Sequence, residues 1–87
     1  MARYEVRIAP SALKDLERLD QKRDRDRITE HIEALADNPR TPGSKKLKGT
    51  ADLYRIRVGD FRVIYSIDDA VVRVLVLRIG NRRDIYG

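Results

Sequence analysis

A glycine–aspartate pair between two β-like runs constrains this fold more than any other feature of the sequence. Residues 53–65 read LYRIRVGDFRVIY, and Gly59 supplies the positive φ that a two-residue hairpin turn requires. A hairpin centred on this pair places Val58 opposite Phe61 and Arg57 opposite Arg62. A four-residue loop with the same centre gives the same pairs, whereas a three-residue loop does not. The sequence therefore predicts the register of two strands.

Alternation along these strands separates an apolar face from a basic face. Side chains point to opposite faces at successive positions, so one face is predicted to be apolar and to receive the helices. Its members are Tyr54, Ile56, Val58, Phe61, Val63, Tyr65 and Ile67. The other face carries Arg55, Arg57 and Arg62. Like charges directly opposite each other destabilise a sheet, and a bound anion would relieve the repulsion. The alternative is that the arginine stems cover the sheet while their head groups stay in solvent.

The first forty residues predict a strand followed by two helices. Residues 3–8 alternate as a strand, with Tyr4, Val6 and Ile8 on one face. Pro10 suits the first turn of a helix and Ser11 is a candidate cap. The apolar stripe of this helix is predicted to be Leu13, Leu16 and Leu19. The second helix begins within the charged run 20–27, buries Ile28, Ile32, Leu35 and Ala36, and stops at Asp37-Asn38-Pro39.

Three strands are predicted in the rest of the chain, at roughly 52–58, 61–67 and 71–79. The element order β-α-α-β-β-β predicts a single α+β domain over residues 1–87. The helical hairpin is expected to pack on one face of a curved, mainly antiparallel four-stranded sheet. Asp68-Asp69 is interpreted as a hairpin turn, and the lone His31 as a residue on the flank of the second helix.

The charge is distributed unevenly along the chain. Residues 1–40 hold nine Lys/Arg and nine Asp/Glu, whereas residues 41–87 hold ten and five, so the net charge of +5 arises in the second half. A basic half favours an anionic partner, either nucleic acid or an acidic protein. The chain has no cysteine, no signal-peptide pattern and no membrane-length apolar run. A cytoplasmic protein without a membrane partner is therefore expected.

The basic half is poor in the groups that most nucleases use. It contains no His and no Glu, and its acids are Asp52, Asp60, Asp68, Asp69 and Asp84. This composition argues against a His-based ribonuclease, a two-carboxylate hydrolase and a carboxylate-bound metal pair, and there is no glycine-rich phosphate loop. What remains is a set of guanidiniums plus Tyr86. Guanidiniums grip phosphate and stabilise charge on a phosphorane, and nearby cations lower the pKa of a phenol. Such a site could cleave RNA without a metal, although weakly unless the substrate is positioned by something else. No cofactor is expected.

Three segments of the chain together resemble the RelE/ParE toxin superfamily, and within it the RelE branch. They are Lys46-Leu47-Lys48-Gly49, LYRIRVGDFRVIYSID and VLRIGNRRDIY. The resemblance implies the RelE-like microbial RNase fold and a toxin of a type II toxin–antitoxin system. It further implies a metal-independent endoribonuclease, a hydrolase that inhibits translation by cutting mRNA in the ribosomal A site and leaves a 2′,3′-cyclic phosphate.

The resemblance also implies roles for particular residues. Arg62 and Arg82 would hold the scissile phosphate, Tyr86 would orient the base and assist proton transfer, and Arg55 or Arg57 would give acid–base help. Better-known relatives have lysine where this chain has Arg55 and Arg57, and histidine where it has Asn81. Because arginine gives up a proton far less easily than lysine, Tyr86 becomes the main candidate for proton transfer. The RNA-binding residues are expected to be Lys45, Lys46, Lys48 and Arg83.

Two alternatives and one partner belong to the same resemblance. The chain could instead be a ParE-like toxin that blocks DNA gyrase by binding, or a RelE relative that has lost its chemistry. In each case the partner is a cognate RelB-like antitoxin with an acidic amphipathic segment, and operator DNA is contacted only through the antitoxin complex. An exposed apolar patch of Ile64 with Leu75 or Leu77 on the arginine-bearing face is the expected dock for that segment.

Overall fold

The described residues form five strands and two helices. The computed structural model describes residues 3–47, 49 and 52–81; Arg82, Arg83, Tyr86 and Lys48 lie outside the described residues. The elements are β1 Glu5–Ile8, α1 Pro10–Glu17, α2 Lys22–Ala34, β2 Lys45–Lys46, β3 Leu53–Val58, β4 Phe61–Asp68 and β5 Arg73–Asn81. They form one sheet in the order β1-β5-β4-β3-β2. β1 runs parallel to β5, and the other pairs are antiparallel.

The α+β class and the element order are confirmed, with one difference in strand number. The predicted sheet of four strands has a fifth, because Lys45 and Lys46 pair with Arg55 and Tyr54 at the outer edge of β3. Lysine has a low strand propensity, so the local sequence gives no signal for this strand. It forms because the edge of β3 offers unpaired backbone groups to the loop that passes beside it.

The β3–β4 hairpin has the register that the sequence predicts. Val58 lies opposite Phe61 and Arg57 opposite Arg62, and the turn residue Gly59 has φ of 61°. The apolar face of this hairpin contacts the helices in one core. Its buried members are Ala12, Ile28, Ile32, Leu35, Ile56, Val58, Val63, Tyr65, Ile67, Val74, Val76 and Ile79.

Helix α1 differs from its prediction in both its cap and its buried face. Pro10 begins the helix as predicted, but the N-cap is Ala9, and no side chain caps the helix. The predicted stripe is wrong at Leu13, which is 48% exposed, whereas Ala12 is fully buried. Ala12 and Leu16 follow the i, i+4 spacing of one helix face, and Leu19 packs on the core just after the helix ends. A strict spacing of three drifts around the helix. The small Ala12 carried too weak a signal to reveal this face.

Ser11 and Asp15 extend the sheet where β1 ends. β1 pairs with β5 as far as Val76, which leaves the following edge of β5 without a strand partner. The Ser11 hydroxyl donates to the Leu77 carbonyl at 2.8 Å. Two residues further along β5, an oxygen of the Asp15 carboxylate accepts the Ile79 N–H at 2.9 Å. One turn of helix thus supplies the acceptor and the donor that a strand would otherwise provide.

Replacing Asp15 with alanine is expected to lower the free energy of unfolding by about 1.5–3 kcal/mol, because a main-chain donor loses a charged acceptor. The Asp15 side chain is 9% exposed, so water replaces it poorly. Asp15→Asn keeps an acceptor and loses only the ion pair with Arg78, whose side chain is 59% exposed; this variant should lose about 1 kcal/mol or less. Urea titrations of both variants beside Lys14→Ala, an exposed position of α1, test this. Equal losses for Asp15→Ala and Lys14→Ala would contradict it.

The predicted buried side of α2 is confirmed. Ile28, Ile32, Leu35 and Ala36 are all buried, although the helix proper ends at Ala34. Below them lies Tyr65, fully buried on β4. Its hydroxyl donates to the Pro39 carbonyl at 2.7 Å, which ties the end of α2 to the centre of the sheet. No helix within the described residues is long and apolar enough to cross a bilayer.

A cluster of charged and phenolic groups closes the opposite end of the sheet from Gly59. Asp69, in the β4–β5 turn, accepts a hydrogen bond from the Tyr4 hydroxyl at 2.6 Å and pairs with the Arg40 guanidinium at 2.9 Å. These donors, Arg40 above all, hold the pKa of the Asp69 carboxyl below its usual value. The interpretation of Asp68-Asp69 as part of a hairpin turn is confirmed, with the Asp68 carboxylate accepting the Ala70 N–H at 3.0 Å. We call this region the β4–β5 turn end, and the region around Gly59 the β3–β4 turn end.

Candidate functional site

The sheet face away from the helices gathers the three arginines of the β3–β4 hairpin. Arg57 lies directly opposite Arg62, and Arg55 lies opposite Ile64. We call this surface the arginine face. On the far side of β4, the position beside Arg62 is Gly80 of β5, and a glycine presents no side chain there.

The three arginines differ in their access to solvent. Arg57 is exposed and Arg55 half-buried, whereas Arg62 is only 7% exposed. The three arginines share the predicted face, but Arg62 is buried on it. A buried guanidinium is held in one geometry and is weakly screened by water, so it acts on a nearby anion more strongly than an exposed one. Within the described residues, the Arg57 side chain makes no hydrogen bond or ion pair.

A depression of about 140 Å³ lies at the β3–β4 turn end, where these arginines meet the turn. Its lining residues are Arg57, Gly59, Asp60, Phe61 and Arg62. Two guanidiniums and one carboxylate face a space of this size. The net positive charge and the fork geometry of the guanidiniums suit a phosphate group.

The predicted RNA-binding lysines divide between the two sides of the sheet. Lys45 pairs with Arg55 and Lys46 with Tyr54. Because cross-strand partners share a face, Lys45 extends the arginine face and Lys46 does not. Both side chains are exposed. The structure thus brings Lys45 into the candidate site and places Lys46 outside it.

Four of the predicted site residues lie outside the described residues: Lys48, Arg82, Arg83 and Tyr86. The described part of β5 ends at Asn81, which pairs with Phe61 beside the β3–β4 turn. The residue that precedes Arg82 in the chain is therefore at the same end of the sheet as Arg57 and Arg62. The roles of the four residues stay predictions.

The apolar patch expected on the arginine face is less open than predicted. Ile64, Leu75 and Leu77 are all half-buried. A register shift between Ile64 and Tyr65 aligns Ile64 with Arg78 and leaves Leu77 without a cross-strand partner on β4. A bulge of this kind has no local sequence signal. The large apolar residues that are exposed in the described chain are Ile8, Leu13 and Val71, which lie elsewhere.

Carboxylates neutralise the arginines unevenly. Arg3, Arg7, Arg40 and Arg73, near the β4–β5 turn end, each lie within 3.2 Å of an acidic oxygen. At the β3–β4 turn end, by contrast, the described contacts leave Arg18, Arg23, Arg27 and Arg57 without an ion pair. The arginines that make no ion pair in the described contacts are therefore concentrated at the β3–β4 turn end, where Asp24 and Asp60 are the nearby carboxylates. The sequence assigned the net positive charge to the second half of the chain. Arg18, Arg23 and Arg27 belong to the neutral first half, and the packing of the helices brings them to the same end of the sheet.

Comparisons with known proteins support one family. The model of the ParE toxin family, "ParE toxin of type II toxin-antitoxin system, parDE", matches residues 6–86. A putative RelE-like toxin protein of Escherichia coli is 34% identical, over 97% of this chain and 90% of that protein.

Solved structures agree with this match. The RelBE2 toxin–antitoxin complex of Mycobacterium tuberculosis contains a chain with a TM-score of 0.81 and 30% identity, covering 92% of this chain and 99% of that one. The RelE–RelB complex of Pyrococcus horikoshii gives a TM-score of 0.80 and 34% identity, covering 97% and 99%.

The two-helix layer on a mixed sheet and the family match together define a class of small toxins from type II toxin–antitoxin systems. This chain belongs to that class, as a RelE-like member of the RelE/ParE toxin superfamily.

Proposed function

We propose that this protein is a metal-independent endoribonuclease that cleaves mRNA in the ribosomal A site. The observation that carries the proposal is the placement of Arg57 opposite Arg62 and beside the depression at the β3–β4 turn end. A phosphate between these guanidiniums would accept hydrogen bonds from both of them.

The proposed reaction needs positioning and charge stabilisation more than strong acids or bases. The 2′-hydroxyl oxygen of the RNA attacks the adjacent phosphorus, the bond from phosphorus to the 5′-oxygen breaks, and a 2′,3′-cyclic phosphate remains. Arg62, buried and weakly screened, stabilises the negative charge that grows on the phosphorane oxygens. Arg57 and Arg82 hold the same phosphate, with Arg55 beside them. Tyr86 orients the base and passes a proton between the 2′-hydroxyl and the leaving 5′-oxygen.

A cognate antitoxin and the ribosome complete the proposal. Such a site lacks an efficient base, so an mRNA that the ribosome already holds in line would react faster, because its orientation is fixed before the chemical step. The M. tuberculosis and P. horikoshii relatives were solved in complexes with antitoxins. For this chain the partner is an acidic RelB-like antitoxin that covers the arginine face. In the toxin–antitoxin complex, the antitoxin is the subunit that contacts operator DNA. The protein acts in the cytoplasm.

Primer extension on a reporter transcript in cells that express the chain tests the proposal. We expect 5′ ends confined to translated codons, and their loss when the start codon of the reporter is removed. Arg62→Ala should lose these cuts. Its matched control is Arg73→Ala, which changes an arginine of the same sheet at the β4–β5 turn end and should cut like the wild type. Growth arrest with uncut transcripts would overturn the proposal.

A ParE-like activity is the second candidate, because the matching family model is described as ParE toxin. A toxin of this kind would bind DNA gyrase and cut no RNA. Expression would then produce broken DNA and an SOS response in cells whose transcripts stay intact. If the cells show no DNA breaks and no RNA cuts, the chain is a relative that has lost its chemistry.

A further inference from the structure

A second cleft lies on the helix side of the same end of the sheet. It separates the C-terminal end of α1 from the last residues of β5 and has a volume of about 320 Å³. We call it the α1–β5 cleft. The lining residues that matter here are Asp15, Arg18, Leu19, Phe61, Arg78 and Ile79.

The floor of the α1–β5 cleft is apolar and includes an aromatic ring. Leu19 and Phe61 are half-buried, and Ile79 is 2% exposed. Phe61 is the single phenylalanine of the chain, and part of its surface stays open to the cleft although it packs on the core. Nucleobases of single-stranded RNA stack on aromatic side chains of this kind.

The rim of the α1–β5 cleft is cationic. Arg18 is exposed and, within the described residues, forms no ion pair. Arg78 sits at the other wall with its side chain 59% exposed. The one carboxylate of the cleft, Asp15, is 9% exposed and is engaged by the Ile79 N–H and the Arg78 guanidinium, both at 2.9 Å. An anionic ligand would therefore meet two guanidiniums and a carboxylate that is already satisfied.

The α1–β5 cleft and the arginine face meet at two neighbouring residues of β4. Phe61 and Arg62 are consecutive, so their side chains lie on opposite faces of the sheet. Their partners on β5 are Asn81 and Gly80. A chain that crosses the end of the sheet here can place a phosphate beside Arg62 and an adjacent base against Phe61.

We propose that the α1–β5 cleft holds one base of the single-stranded RNA, next to the nucleotide whose phosphate lies on the arginine face. The inference rests on the proposed RNA substrate and adds to it a source of base preference. Phe61 provides the stacking surface, and Arg18 and Arg78 hold the flanking phosphate.

Abasic scanning of a short RNA tests this subsite. The probe is a fluorescent single-stranded hexanucleotide with 2′-O-methyl groups, which cannot be cleaved, and one position at a time carries an abasic residue. In the wild type the abasic residue at one position should reduce affinity about 5- to 160-fold, the range expected for loss of one stacked base. Phe61→Leu should remove that position-specific cost, whereas Phe61→Tyr, which keeps the ring, should retain it.

A charge variant tests the rim without disturbing the floor. Arg18→Glu changes an exposed residue, and Lys14→Glu makes the same change in charge on the same helix outside the cleft. Arg18→Glu should reduce the dependence of log affinity on log salt by about 0.7 for each RNA phosphate that the variant no longer neutralises. Lys14→Glu should leave this slope unchanged. Because Arg18 is exposed, this arm remains decisive if Phe61→Leu fails to fold.

The outcomes separate this subsite from the proposed function. A position-specific cost that depends on Phe61, in a protein that cuts no RNA, would support the subsite and overturn the nuclease proposal. Two outcomes in a protein that cleaves RNA would overturn the subsite alone. One is an abasic pattern that is identical in the wild type and Phe61→Leu. The other is an equal slope of log affinity against log salt for Arg18→Glu and Lys14→Glu. An absence of RNA binding would overturn the subsite, whereas the nuclease proposal is decided by the primer extension on translated transcripts.

Discussion

Replacing Arg62 with alanine is expected to reduce the rate of RNA cleavage by about 100- to 1000-fold, the cost typical of removing one preorganised donor from a charged transition state. Arg62 is the most buried of the three hairpin arginines, at 7% exposure, so neither water nor salt substitutes well for it. The measurement is single-turnover cleavage of mRNA on programmed ribosomes, with saturating protein. The loss should appear in the rate at saturation rather than in the affinity for the ribosome.

Two variants control for the loss of a charge. Arg62→Lys keeps the charge but loses the planar fork, so its rate should fall between those of the wild type and Arg62→Ala. Arg73→Ala removes an arginine at the β4–β5 turn end, where Glu5 already neutralises it at 2.9 Å, and should cleave at the wild-type rate. If Arg73→Ala lost as much activity as Arg62→Ala, the β3–β4 turn end would have no special role.

Replacing Ile28 with alanine is expected to cost about 2–5 kcal/mol of the free energy of unfolding, since the residue is fully buried between α2 and the sheet. For a domain of this size the whole free energy of unfolding is on the order of 5–10 kcal/mol. The midpoint of thermal unfolding should therefore fall by roughly 10 °C or more. Differential scanning calorimetry measures both the midpoint and the enthalpy.

Leu13→Ala is the matched control for Ile28→Ala. Leu13 also belongs to a helix and is apolar, but it is 48% exposed. Alanine has a high helix propensity, and the substitution leaves no enclosed cavity. We expect a change of less than about 1 kcal/mol. A larger loss for Leu13→Ala than for Ile28→Ala would contradict the assignment of the core.

Local patterns predicted the parts of the fold that local geometry controls. The Gly59-Asp60 turn needs a positive φ at one residue, and that requirement alone determined the pairing of Arg57 with Arg62. The buried side of α2 was predicted because Ile28, Ile32 and Leu35 are large and regularly spaced. These features depend on neighbours in the sequence.

Features that depend on distant contacts were not predictable in this way. Ser11 has the chemistry of a helix cap, yet its hydroxyl bonds to Leu77, 66 residues away. The pairing of Lys45 with Arg55 likewise exists only because β3 ends the sheet without it. Neither contact leaves a periodic trace in the sequence.

The candidate site was predicted in composition more than in geometry. Alternation placed Arg55, Arg57 and Arg62 on one face, and the register confirms it. Alternation does not report depth, however, so the burial of Arg62 came only from the structure. The cations that α1 and α2 bring to the β3–β4 turn end depend on how the helices cross the sheet, which the sequence pattern left undetermined.

The parallel pairing of β1 with β5 also determines the order in which the chain assembles. Glu5 and Arg73 lie 68 residues apart along the chain, whereas β3, β4 and β5 follow one another through short turns. A long loop costs more entropy to close, so the contacts that close it form late. The three-stranded meander should therefore form first and β1 should dock last. Substitutions in β1 are then expected to raise the unfolding rate while leaving the folding rate nearly unchanged, so that the native state opens first at its N-terminal edge.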